Sequence, residues 1–182
     1  MFDKFRPAIA HHLTLLGDDI SYQNVRFLNA AQGLEALHRR LFPGEYESTK
    51  KYKKTTLKAL KKAIPPDLPE PYRKSIRDGL IHLNEYSFRV RVTELYEKHR
   101  DLVDFAFKAP EEEIDRIVKV RNHLTHLPPR SNEFYRSKND FLALLNLSDR
   151  CRLLLEAAIL ARLTTRREKA REWLESAWFM LH

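Results

Sequence analysis

Punctuation in this chain is sparse and grouped. There are four glycines and nine prolines in 182 residues. Most of the prolines fall together: Pro43 beside Gly44, then Pro65, Pro66, Pro69 and Pro71, then Pro110, then Pro128 and Pro129. Between the breaks run long stretches rich in Leu, Ala, Lys, Glu and Arg, the residues that cost least in a helix. Proline cannot continue a helix, so each break ends one and starts another. No stretch alternates apolar and polar residues with period two, and no Asn-Gly hairpin signal occurs. The expected fold is all-α: a single domain over 1–182, built as a bundle of five to seven helices.

Composition narrows the class further. The chain is 43% hydrophobic and 32% charged, ordinary values for a globular domain and not for a disordered one. No window approaches the roughly 18 apolar residues of a membrane span. The N-terminus carries Asp3, Lys4 and Arg6 and lacks the apolar run of a secretory signal. A single cysteine, Cys151, excludes an intramolecular disulfide and fits a reducing compartment, so a cytoplasmic location and no membrane partner are expected. The net charge of +8 favours polyanions as partners.

Taken in order, the chain opens with a short amphipathic stretch over 3–16 (Phe5, Ile9, Leu13, Leu16), and Ser21 can cap the next helix. That helix, over 22–42, carries the stripe Phe27, Ala30, Leu34, Leu37, Leu41. Glu35 and His38 lie at its border, and Glu35 can pair locally with Arg39 at i+4. Next comes a basic helix with seven lysines, Lys50, Lys51, Lys53, Lys54, Lys58, Lys61 and Lys62, which leaves Leu57, Leu60 and Ile64 to face inward. Such a run is either a solvated face or a surface that follows phosphates. Two more helices run over 72–85 (Ile76, Leu80, Leu83) and 88–107 (Val92, Leu95, Tyr96, Leu102, Val103, Phe105). After a polar loop over 127–138, a long helix over 139–163 leads to a capping box, Thr165-x-x-Glu168. That box opens a last helix whose Trp173 and Trp178 are expected to pack.

The helix that starts at Pro110 ends in Arg121-Asn122-His123-Leu124-Thr125-His126. Its apolar positions are Ile114, Ile117, Val118 and Leu124, and Arg121 falls in phase with them. A guanidinium drawn toward an apolar stripe needs a partner. Glu35, at the border of the earlier stripe, can supply it. Asn122 and His126 stand at i and i+4 on one face. An arginine that neutralises phosphate charge and a histidine that moves a proton suit phosphoryl transfer within RNA, with no metal required. His123 and His126 share a face at i and i+3, but no Asp, Glu or Cys adjoins them, so no metal site and no cofactor are expected. Read from spacing alone, a paired core cation and a helix-end histidine are the favoured reading.

Two segments carry a resemblance. Arg121-Asn122-His123-Leu124-Thr125-His126 is similar to the Arg-polar-x-x-x-His signature of HEPN domains. Arg26 to Arg40, an apolar run through Leu34-Glu35 and then His38-Arg39, resembles the first-helix signature of the ApeA-like HEPN group. The two stand in the expected order, and the likeness spans roughly 20–163.

The resemblance implies an all-helical, often homodimeric domain in which two copies form a composite active site. It implies a metal-independent endoribonuclease that works by 2′-hydroxyl attack and serves as a toxin in abortive-infection defence against phage. Carried over, Arg121 would stabilise the charged phosphorus centre and His126 would be the acid or base. Asn122 would orient His126 or the phosphate, and Glu35 would anchor Arg121. The seven lysines would hold RNA. ApeA-like proteins of greater length carry an extra N-terminal domain, so this chain reads either as a stand-alone form or as the C-terminal part of a longer protein, with a regulatory domain or antitoxin as a further partner. The alternative is a HEPN module without catalysis that binds RNA or a partner enzyme such as a nucleotidyltransferase.

Overall fold

The computed structural model describes residues 23–126 and 138–181, the side chains of 138–141 and of Leu181 excepted, and among these the long runs between the breaks are helices. The 3–16 stretch, the Ser21 cap, most of the 127–138 loop and the Phe141 side chain lie outside the described residues. The helices are α1 (Gln23–Leu41), α2 (Thr49–Lys51), α3 (Leu57–Lys62), α4 (Glu70–His82), α5 (Phe88–Val103), α6 (Pro110–His126), α7 (Lys138–Leu163) and α8 (Arg167–Leu181). A π-helical turn, Tyr52–Thr56, joins α2 to α3. No strand forms among the described residues. The only β contact there is one isolated antiparallel bridge between Glu45 and Glu85. The fold is all-α, as the sequence leads one to expect.

The described residues group into two compact units, one within 1–42 and 88–182 and the other Pro43–Ser87. In the larger unit α7 is the central helix, packed against α1, α5, α6 and α8. Its Leu154, Leu155, Ala157, Ala158 and Cys151 are fully buried, because neighbours cover it on several sides and a single apolar stripe would not suffice. Burial pushes the Cys151 thiol far above its ordinary pKa, so it acts as a small core residue. The α1 stripe is buried from Phe27 to Leu37. Arg26 and Asp149 tie α1 to α7 at 3.0 Å.

The α6 phase differs slightly from expectation. Ile114, Ile117, Val120 and Leu124 are buried, while Val118 packs at the margin. Further corrections concern the last helix. The helix starts at Arg167, and the Thr164 hydroxyl accepts the Arg166 N–H at 3.1 Å, so the turn before the helix is held by Thr164 in place of the expected Thr165–Glu168 box. Trp178 is buried, set edge-on to Phe105 at 6.4 Å, whereas Trp173 is 59% exposed.

The smaller unit is a helical hairpin closed at its base by Tyr46 N–H to the Asn84 carbonyl (3.0 Å) and Tyr86 N–H to the Gly44 carbonyl (2.8 Å). Gly44 has φ 64°, a conformation that glycine adopts without strain. Tyr52 and Leu57 are this unit's buried apolar side chains. No α4 residue is buried, and Leu83 is 58% exposed. Leu60 also faces outward. The inward stripes expected for these helices are therefore only partly covered within this unit.

Candidate active site

The motif helix α6 is built to end where it does. Pro110 occupies its first position, and Glu111, Glu112 and Glu113 line its first turn, where carboxylates complement the positive end of the dipole. Ile114 and Ile117 are buried, and they bring Arg121, seven and four residues further on, to the edge of the core. The Arg121 side chain is 28% exposed and is therefore half-buried.

Its partner is the one the sequence nominated. Arg121 Nη2 donates to Glu35 Oε2 at 3.3 Å, across 86 residues of chain. The local pairing forms as well: Arg39 Nε and Nη2 donate to Glu35 Oε1 at 3.3 and 3.1 Å. A carboxylate has two oxygens, so both expectations hold together. The Arg121 guanidinium lies 5.3 Å from the Phe88 ring centroid, within cation–π range. Its Nη1 donates to Asn122 Oδ1 at 3.2 Å. Among the described residues, then, Asn122 is bonded to Arg121 and not to His126.

His126 is the last residue of α6, and its side chain is exposed, as is that of Asn122. The Thr125 hydroxyl donates to the Arg121 carbonyl at 2.7 Å, the back-bond to the residue four earlier that threonine makes within a helix. A cation held on three sides by a carboxylate, a ring and an amide thus sits on the same helix end as a solvent-facing imidazole. The seven lysines expected to hold RNA all lie in the smaller unit. Among the described residues no group of three or more His, Cys, Asp or Glu side chains could hold a metal ion.

A family model described as ApeA-like HEPN matches residues 28–169. The chain belongs to the ApeA-like HEPN family. The match includes Glu35 and the whole of α6, so both members of the Glu35–Arg121 pair lie inside the family's extent. Searches of curated proteins and of solved structures return no match. No helix among the described residues of this HEPN protein is long and apolar enough to cross a membrane.

One polar cluster escaped the reading of the sequence. His38 is fully buried. Its Nδ1 accepts from Arg91 at 3.0 Å and its Nε2 donates to Glu94 at 2.8 Å. Burial lowers the His38 pKa more than the Glu94 hydrogen bond raises it, and the Arg91 charge lowers it further. Arg91 is itself only 2% exposed. The cluster lies one turn along α1 from Glu35 and one turn along α5 from Phe88. Arg91 stands three residues after Phe88 and four before Leu95, so the in-phase argument that singled out Arg121 also applies to it.

Proposed function

We propose that this ApeA-like HEPN protein is a metal-independent endoribonuclease that serves as a toxin in abortive-infection defence against phage. The observation that supports this most strongly is the Glu35–Arg121 pair at 3.3 Å. It orients a cation at the surface, on a helix that also presents Asn122 and His126. A guanidinium already aligned by a carboxylate needs little reorganisation to meet a phosphate, which is what makes such a group effective.

In this reading the 2′-hydroxyl of one nucleotide attacks the adjacent phosphorus. The bond from O2′ to phosphorus forms and the bond from phosphorus to O5′ breaks. A base takes the O2′ proton and an acid delivers one to O5′, leaving a 2′,3′-cyclic phosphate and a 5′-hydroxyl. Arg121 neutralises the charge that builds on the non-bridging oxygens. Asn122 holds the second edge of the guanidinium. His126 moves one of the two protons. Entering and leaving oxygens lie on opposite sides of phosphorus, so a single imidazole does not serve both. A second copy of the chain supplies the other, which makes the active unit a homodimer. Lys50, Lys51, Lys53, Lys54, Lys58, Lys61 and Lys62 contribute attraction for the RNA backbone.

The test is substitution at the motif. His126→Ala is expected to lower the cleavage rate by about 10²–10⁴, the usual contribution of a positioned acid or base. Arg121→Ala is expected to cost about 10²–10³. Because His126 is exposed, its substitution should leave stability within about 0.5 kcal/mol. Undiminished cleavage by either variant removes that residue from the mechanism. Wild-type protein that binds RNA and leaves it intact supports the binding module instead.

A further inference from the structure

The smaller unit holds a concentration of charge whose arrangement goes beyond general attraction. Over 49–62 there are seven lysines and no carboxylate, and all seven are exposed. Lys51 reaches Glu47 at 3.8 Å. Among the described residues, none of the other six forms an ion pair. The arginines of the same unit behave differently, since Arg73 and Arg77 both pair with Glu70. Most of the unpaired positive charge in this unit is therefore gathered on one rod.

The backbone of that rod arranges the charge. In the π turn the Leu57 N–H donates to the Tyr52 carbonyl, five residues back. A π turn holds about one residue more than an α turn, so Lys53 and Lys58, five residues apart across it, share one face. Lys62 comes four residues later, one α turn further on. Lys53, Lys58 and Lys62, with Leu57 and Lys61, line an open concavity of about 380 Å³. The turn is fixed at both ends. The buried Tyr52 donates its hydroxyl to the Leu80 carbonyl. The Thr56 hydroxyl donates to Glu47 Oε1 at 2.9 Å. Glu47 is in turn clamped by Asn84, whose Oδ1 accepts the Glu47 N–H at 2.9 Å and whose Nδ2 donates to the Glu47 carbonyl at 2.7 Å. π turns are rare and recur at functional sites.

We propose that the column Lys53, Lys58, Lys62, with Lys61 beside it, is a track for the phosphodiester backbone of RNA that works without regard to sequence. Cations one turn apart, about 5.4 Å, match the order of spacing of successive phosphates along a strand. The rod's one aromatic side chain, Tyr52, is buried, so the rod itself offers no platform on which bases could stack and be distinguished. Leu57 is buried and Leu60 is 36% exposed, which leaves no apolar face of the kind an interfacial membrane helix inserts. Lys50 and Lys51 stand before the π turn and outside the concavity, so they are peripheral to the track. The choice of RNA as the polyanion rests on the ribonuclease reading; the track itself does not.

The test uses the full chain carrying His126→Ala, so that RNA survives, with chelator present. Binding of labelled RNAs of two unrelated sequences is followed by fluorescence anisotropy across a salt series. Lys53→Gln with Lys58→Gln and Lys62→Gln is compared with Lys74→Gln, Lys108→Gln and Lys169→Gln, which removes the same charge elsewhere. The column variant should bind at least about 10-fold more weakly, and its log–log salt slope should be shallower by about 2, the value for three phosphate contacts on a single strand. The control should change less than about 2-fold, and both RNAs should behave alike. Equal losses in the two variants overturn the track and leave only diffuse attraction. Tighter, lysine-dependent binding to polyglutamate or to phosphatidylserine vesicles than to RNA overturns the assignment of RNA. Cleavage is not read in this experiment, so a failed ribonuclease reading and a failed track give different results.

Discussion

His99 makes folding sensitive to acid. It is 7% exposed and sits at a kink in α5, with φ −123° and ψ 16°. Burial lowers its pKa to about 4 from 6.5, with the charges of Arg167, Arg162 and Lys98 adding to the effect against Asp101. The fold therefore holds a neutral imidazole, and acid must protonate it at a cost. Above pH 6.5 neither the folded nor the unfolded chain carries this proton, and stability from this source is complete. Between pH 6.5 and 4 the unfolded chain takes it up and the folded chain does not, so stability falls by about 1.4 kcal/mol per pH unit. By pH 4.5 the loss comes to about 2.5 kcal/mol, and below pH 4 it levels off. Urea unfolding of wild type and His99→Gln at pH 7.5, 6.0, 5.0 and 4.5 measures this. The wild-type curve should fall more steeply, and the difference should shrink by about 2.5 kcal/mol across the series. His38, also shifted down, remains in both proteins and cancels. Parallel curves would mean that His99 titrates alike in the folded and unfolded chain and that its burial carries no such penalty.

Other outcomes are expected from the same structure. Glu35→Gln should lower cleavage by about 10-fold or more, while Arg39→Ala, which removes only the exposed partner on the other carboxylate oxygen, should leave the rate within about 2-fold; parallel cleavage time courses decide between the two partners. Leu154→Ala, at a fully buried site on α7, should cost about 2–5 kcal/mol, read as a shift in urea midpoint at unchanged m-value. Asn84→Ala removes both hydrogen bonds to Glu47 and should destabilise the smaller unit by about 1–3 kcal/mol, visible as faster limited proteolysis within residues 43–87.

Several helices could be read from sequence because proline and glycine, which act locally, mark breaks at 43–44, 65–71, 110 and 128–129, whereas the breaks at 83–87 and 164–166 carry neither and show only as interruptions of the apolar periodicity. Glu35 and Arg121 could be paired because each stood at the edge of an apolar stripe, where a charge must find a partner. The features that escaped depend on neighbours. Periodicity shows which face of α4 is apolar, but not that its own unit leaves Leu83 exposed. It pointed to Val118 where Val120 is more deeply buried, since a helix side chain can lean either way at the margin of a stripe. The π turn at Tyr52–Thr56 is fixed by distant groups, the Leu80 carbonyl and Glu47, and no local signal foretells it. Trp173 and Trp178 look alike in sequence, and only the presence of Phe105 and Arg150 beside Trp178 separates them.

In the proposed mechanism Arg121 and His126 cleave RNA by 2′-hydroxyl attack. The most direct measurement is the chemistry of the ends produced when purified protein meets a labelled single strand with chelator in excess. Wild type should give 2′,3′-cyclic phosphate and 5′-hydroxyl ends, and His126→Ala should give neither. Ends bearing a 5′-phosphate, or cleavage that stops when chelator is added, would contradict it.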